Sequence, residues 1–275
     1  MAAIAGDAEA SASAMGRYGR VLRRRTDLVS LAGDYRAQQT RPSASVTRAE
    51  GLHAAALVCV ADTVVGSLAM VDRSAGYEAV AATFAVAREQ RAIGANVIAE
   101  WAAALPAAAN VLDLGCGSGV PVTRVLAEAG CTVWGVDASP TLTRAFAERF
   151  PQFQIACADV VDHDLFGRTF DGVLAIGLVF LLEAREQDTV LRRAAQALAP
   201  GGRLLFTAPH EAVTWPDVLT GRTSVSLGAV AYERVLNACG VEVVATHRDD
   251  GDNHYYDGRA RETSSFSAHR DLIQC

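Results

Sequence analysis

The sequence contains no lysine, so all 25 basic residues are arginine; against 31 acids they leave a formal net charge of −6. An acidic chain without lysine is poorly suited to gripping phosphates along an extended surface, and nucleic acid is not the expected partner. Cysteine is present but unorganised. The six stand at 59, 116, 131, 157, 239 and 275, with no C-x-x-C pair and no Cys/His group at zinc spacing. That pattern speaks against a disulfide framework and a zinc module, and it predicts reduced thiols and no metal. No basic stretch leading into an apolar one opens the chain, so a cytoplasmic location is expected. The one apolar run of membrane length, 52–71, holds Asp62 at its centre and His53 near its start, which excludes a comfortable span. What remains is a chain of 275 residues, 51% hydrophobic, with room for one or two domains and a sizeable core.

Residues 1–69 differ from the rest. Small residues lead into an arginine-rich patch (Arg17, Arg20, Arg23, Arg24, Arg25) and a polar linker, QQTRPSAS. This part carries eight arginines against six acids and does not share the acidic balance of residues 70–275. It reads as a poorly structured or loosely docked extension ahead of a natural start at Met70. The domain is expected over 70–257, with 258–275 a peripheral tail.

From Gly76 onward, helical periodicity alternates with short apolar runs, the pattern of an α/β fold with a mostly parallel sheet. Strands are expected at Asn110 to Leu114, Thr132 to Val136, QIACA, DGVLAI and RLLFTA. Helices are expected to open near Ser118 or Gly119, at Ser139-Pro140, around Val190 and around Val230, with Pro200-Gly201-Gly202 a turn. VEVVATHR and HYYD around DDGD read as a closing antiparallel hairpin. The expected architecture is a doubly wound sheet with its ligand crevice at the C-terminal strand ends.

VLDLGCGSG (111–119) runs a strand into three alternate glycines, so a ligand must approach bare backbone there. A dinucleotide needs G-x-G-x-x-G or A, and the third position holds Val120. A nicotinamide cofactor is therefore disfavoured. S-adenosylmethionine carries no phosphate; it wants a carboxylate near its ammonium, acceptors for ribose hydroxyls and a polar contact for adenine. Asp113, Asp137 and Asp159, each ending a successive strand, can supply these.

VLDLGCGSG, GVDAS, ACADV, FDGVLAIG and LAPGGRLLFTAP together resemble class I S-adenosylmethionine-dependent methyltransferases of the bacterial small-molecule type, over roughly residues 76–257. The resemblance implies a Rossmann-like, mostly parallel seven-stranded sheet with a terminal antiparallel hairpin. It implies backbone contacts to S-adenosylmethionine from Gly115, Cys116 and Gly117, the ribose contact from Asp137 with Ala138 and Ser139 beside it, and the adenine contact from Asp159 and Val160. It also implies a carbonyl from Ile176 near the amino group, and Tyr77 and Arg88 closing over the methionine end. Candidate catalytic bases are His210, His254 and Tyr255, and Trp215, read as a loop residue, is a candidate pocket wall. The N/D-P-P-Y/F and Pro-Cys motifs of nucleic-acid methyltransferases are absent, which points to a small-molecule acceptor, with a monomer or homodimer as the assembly. The other function class kept open is a protein that binds S-adenosylmethionine without catalysis, as a sensor or partner subunit.

Overall fold

A computed structural model of the chain describes residues 72–262. The extension 1–69, the apolar run 52–71, Met70 and most of the expected tail lie outside the described residues. Among the described residues, nine strands and six α-helices run in order: α1 (Tyr77–Gln90), α2 (Ala95–Ala103), β1 (Asn110–Leu114), α3 (Val122–Glu128), β2 (Thr132–Asp137), α4 (Pro140–Arg149), β3 (Gln154–Cys157) and β4 (Phe170–Ala175). Then come α5 (Ala184–Gln196), β5 (Leu198–Thr207), β6 (Ala212–Pro216), β7 (Thr223–Leu227), α6 (Ala229–Ala238), β8 (Val241–Arg248) and β9 (His254–Ala260).

Seven strands form one sheet in the order β3-β2-β1-β4-β5-β9-β8, parallel except for β9, which runs antiparallel to both neighbours. Because side chains alternate along a strand, each buried strand feeds two cores. Leu112, Val136, Val173 and Phe206 face α5 and α6, against Leu191, Ala194, Tyr232 and Leu236. Val111, Val133, Leu174 and Leu205 face the other layer, against Ile98 and Trp101 of α2, Leu126 of α3 and Phe146 of α4. This two-sided burial is why the strands read as continuous apolar runs rather than alternating ones.

Most expected elements form where the sequence places them. Ser139 caps α4, its hydroxyl accepting from the Leu142 amide at 3.2 Å, with Pro140 at the first helical position. Gly240, at φ +77°, follows α6 as its left-handed stop.

Four details differ. The helix after the glycine turn opens at Val122 rather than Ser118 or Gly119, because Gly119 sits at φ +79°, outside helical space. Pro200, Gly201 and Gly202 lie within β5, which pairs Phe170 with Leu198 and, after a register shift, Gly172 with Arg203. The expected turn is thus an irregularity inside a strand. β9 continues to Ala260, beyond the domain end expected at 257. Finally, Trp215 lies in β6, not in a loop: β6 and β7 form a separate two-stranded hairpin with Trp215 opposite Ser224.

Candidate functional site

At the C-terminal ends of β1, β2, β4 and β5, roofed by α1 and the β6–β7 loop, lies a cavity of about 450 Å³. That is ample for a small ligand. Its floor is the glycine turn, and the three glycines are there for different reasons. A Cβ on Gly117 (φ +56°) would project toward the cavity wall, 3.7 Å from Phe84. A Cβ on Gly115 (φ +68°) would meet Leu178 at 3.1 Å. One on Gly119 would collide with the Phe150 ring at 2.5 Å, so this glycine serves the packing of α4 on the turn.

Asp137 ends β2 and lines the cavity. Its two carboxylate oxygens accept from the Gly117 and Ser139 amides, both at 2.8 Å, which ties the glycine turn to the head of α4. Burial pushes its pKa up, and those two amides oppose the rise. Asp159, past the end of β3, also lines the cavity; it accepts from the Val161 amide at 2.9 Å and faces the Arg73 guanidinium at 3.3 Å. Ala138, Val160 and Ile176 line the cavity beside these acids. Ser139 does not: it is fully buried as the α4 cap, and its hydroxyl donates to Glu78 of α1.

Asp113 is buried beneath the turn rather than in the cavity wall, accepting from the Thr123 hydroxyl at 3.2 Å. Burial, reinforced by the charge of Asp137 and opposed by Thr123 and Arg88, raises its pKa to about 7. Cys116 lines the cavity, but burial and the charges of Asp113 and Asp137 push its thiol well above the usual value, so it stands as a protonated, unreactive side chain.

Tyr77 and Arg88, both on α1, line the cavity. Burial pulls Arg88 below the usual guanidinium value, while the charges around it, Asp249 and Asp113 among them, pull the other way. The Tyr77 hydroxyl donates to Asp217 of the β6–β7 loop at 3.3 Å.

The three candidate bases divide. Tyr255 lines the cavity, its hydroxyl donating to Asp249 at 2.7 Å; burial and that carboxylate drive the phenol's pKa far upward, so it holds its proton. His210 and His254 are not among the cavity-lining residues. Their rings pack edge to face at 5.4 Å, and His254 also meets Tyr256, whose side chain belongs to the α5–α6 layer. Burial and the charges of Arg248 and His210 keep His254 below its usual value. The reason is strand alternation: neighbours on β9 point to opposite faces, so Tyr255 reaches the cavity and His254 cannot.

Two acids that tie α1 to its neighbours were not singled out from sequence. Glu78 accepts from the Thr141 hydroxyl at 2.7 Å and its amide at 3.1 Å, locking α1 to α4. Asp217 lines the cavity although only 3% exposed. A tyrosine and glutamate opening one helix give a weak signal for the first; nothing local marks the second. Trp215 packs against Phe180 at 5.5 Å, and Phe180 lines the cavity. Among the described residues there is no group of three or more His, Cys, Asp or Glu able to hold a metal ion, and no helix long and apolar enough to cross a membrane.

The arrangement can hold a nucleoside. Bare backbone at Gly117 allows close approach, and carboxylates at successive strand ends accept from hydroxyl and amino groups while repelling phosphate.

Comparison with known proteins agrees with this geometry. Residues 111–202 match the family described as a methyltransferase domain. The chain is 32% identical over 137 residues, 48% of this chain and 52% of the relative, to dTDP-4-amino-2,3,4,6-tetradeoxy-D-glucose N,N-dimethyltransferase of Saccharopolyspora spinosa. It is 35% identical over 110 residues, 38% of this chain and 44% of the relative, to demethylmenaquinone methyltransferase of Tropheryma whipplei. The chain therefore spans about half the length of the curated relatives it matches. In fold it is similar to the 1,6-didemethyltoxoflavin-N1-methyltransferase of Burkholderia thailandensis, solved with 1,6-didemethyltoxoflavin and S-adenosylhomocysteine (TM-score 0.54, 20% identity, 66% of this chain and 88% of that one).

Proposed function

In domain and fold the chain belongs to the class I S-adenosylmethionine-dependent methyltransferases, and on that premise we propose that it transfers a methyl group from S-adenosylmethionine to a small-molecule acceptor by in-line displacement. The observation that carries this reading is the pair of strand-end carboxylates, Asp137 and Asp159, facing one cavity beside the bare backbone of Gly117. Asp137 is suited to accept the ribose hydroxyls and Asp159 the adenine amino group, with Ala138, Val160 and Ile176 packing around them. Gly115, Cys116 and Gly117 give backbone to the amino-acid end, and Arg88 is suited to its carboxylate. Asp113 acts from beneath the turn, its charge biasing the floor toward an ammonium.

When bound, the cofactor supplies a methyl group already activated on a sulfonium, so the protein's task is alignment and exclusion of water. The apolar wall of Phe84, Phe180, Leu178 and Leu181 suits both. The relatives act on a nucleotide-linked amino sugar and on a quinone precursor by their names, which favours a small acceptor here.

One observation favours the second reading, a binding protein without catalysis: none of His210, His254 and Tyr255 is a free base in the cavity. Methyl transfer needs a base only when the acceptor must shed a proton before attack, so the first reading is preferred. Incubation of the full chain with methyl-labelled S-adenosylmethionine and a small-molecule extract separates the two. Label moving into the small-molecule fraction supports the enzyme; tight binding with no label leaving the cofactor supports the sensor.

A further inference from the structure

The β6–β7 loop brings one buried carboxylate, Asp217, to the roof of the cavity. Its Oδ1 is saturated by the loop itself, accepting from the Leu219 and Thr220 amides at 3.0 and 2.9 Å and from the Thr220 hydroxyl at 3.1 Å. The loop is closed further by the Asp217 amide donating to the Arg222 carbonyl at 2.7 Å. Its Oδ2 meets the Tyr77 hydroxyl at 3.3 Å, at the long end of hydrogen bonding. The neighbouring arginine, Arg222, is turned away, pairing with Asp72 at 2.8 Å. The carboxylate is thus held in one orientation, 3% exposed, with no cation of the described residues in an ion pair with it. The other acids of the cavity are differently placed: Asp137 and Asp159 stand at the β2 and β3 ends, and Asp250 is exposed to solvent. Phe84, Phe180 and Leu219 give the same cavity an apolar part of its wall.

Resting on the methyl-transfer reading, we propose that Asp217 is the acceptor-recognising residue and that the acceptor is an amine carried on a compact apolar body. The charge balance of the reaction selects amine over hydroxyl. An amine held as an ammonium beside Asp217 first gives up one proton to solvent; the freed nitrogen lone pair then forms the new N–C bond as the S–C electron pair returns to sulfur, so positive charge returns to nitrogen. The carboxylate fixed beside that nitrogen stabilises its positive charge on binding and again as the N–C bond forms, and the methylated product leaves as an ammonium. A hydroxyl would have to lose its proton as it attacks, for which an aspartate is a weak base.

The test uses the full chain loaded with S-adenosylhomocysteine and titrated calorimetrically with size-matched probes: benzylamine against benzyl alcohol, and cyclohexylamine against cyclohexanol. The amines are expected to bind about tenfold or more tightly than the alcohols. Asp217→Asn, which keeps the loop's hydrogen-bond acceptor, should reduce that preference to about twofold or less while S-adenosylhomocysteine affinity stays within about threefold. Tyr77→Phe should retain the amine preference. An absent preference in the native chain, a preference surviving Asp217→Asn, or one lost with Tyr77→Phe would overturn the assignment. Failure of S-adenosylhomocysteine itself to bind the native chain would instead remove the methyl-transfer reading on which it rests.

Discussion

The two halves of the cavity are built on different principles. On the β1–β3 side, the functional groups are held by their immediate neighbours: Asp137 by the amide two residues on and by the adjacent turn, Asp159 by the amide of Val161. On the α1 and β6–β7 side, the wall is assembled from segments far apart in the chain. Tyr77 reaches Asp217 across 140 positions, and Arg222 reaches Asp72 across 150. The first half is rigid strand ends, the second a hairpin loop clasped to a helix start. Recognition of an invariant ligand suits the former, and recognition of a variable acceptor suits the latter, since loops on a fixed scaffold change without disturbing the core.

The sharpest way to break this division is Asp137→Ala. It removes an acceptor for the ligand and unties the Gly117 amide from the head of α4. Loss of charge-assisted hydrogen bonds predicts about a hundredfold weaker binding of S-adenosylhomocysteine by calorimetry, with the amine preference unaffected in kind. Near-native affinity in this variant would dissolve the division.

Next in size is the contrast between two glycines of one turn. Gly119→Ala drives a methyl group into Phe150 and forces a non-glycine residue to φ +79°; a loss of about 2–3 kcal/mol in urea unfolding is expected. Gly117→Ala meets only a 3.7 Å contact, so it is expected to cost about 1 kcal/mol of stability, mainly from its φ, and to lower ligand affinity more than Gly119→Ala does. Equal effects would mean the turn acts as a single unit.

What could be read from the residues divides along the same line. VLDLGCGSG, GVDAS and ACADV are local patterns: strand, bare turn and terminal carboxylate lie within a few positions, so the elements were legible, as was the place of Asp137 and Asp159 at the cavity. The alternation of strands with helices and the closing hairpin were equally so. The β6–β7 hairpin was not, because AVTWP and TSVSL are short, polar in part, and separate from the main sheet, and their pairing depends on a loop rather than on an apolar core. Asp217 was invisible for the same reason; a buried carboxylate cannot be told from a surface turn residue until its distant partner is known. The histidine candidates failed on facing. A one-residue shift along β9 carries a side chain to the opposite layer, and proximity in sequence to Tyr255 gave no guard against that.

A smaller effect sharpens the contrast through pH. Asp113 has a folded pKa of about 7 against an ordinary value of 3.8. A carboxyl that binds its proton more tightly when folded favours the native state while protonated, so its stabilising contribution falls as pH rises from about 4 toward 7. Asp113→Asn removes that fall. The variant should gain on the native chain by about 2 kcal/mol between pH 5 and pH 8, measured as the difference in urea midpoints. A constant difference across that window would show that Asp113 is not burdened by its burial. The smallest expected effect lies on the clasp. The Asp72–Arg222 pair is half exposed, and Arg222→Gln should shift stability by no more than about 0.5 kcal/mol. A larger loss would mean that the clasp organises the hairpin rather than merely closing it.

The most direct test of the central claim is calorimetric titration of the native chain with S-adenosylhomocysteine and, separately, with NAD. One-to-one binding of S-adenosylhomocysteine and none of NAD is the predicted result, from a cavity whose strand-end carboxylates accept hydroxyl and amino groups and repel phosphate. Binding of NAD, or no binding of S-adenosylhomocysteine, would contradict it.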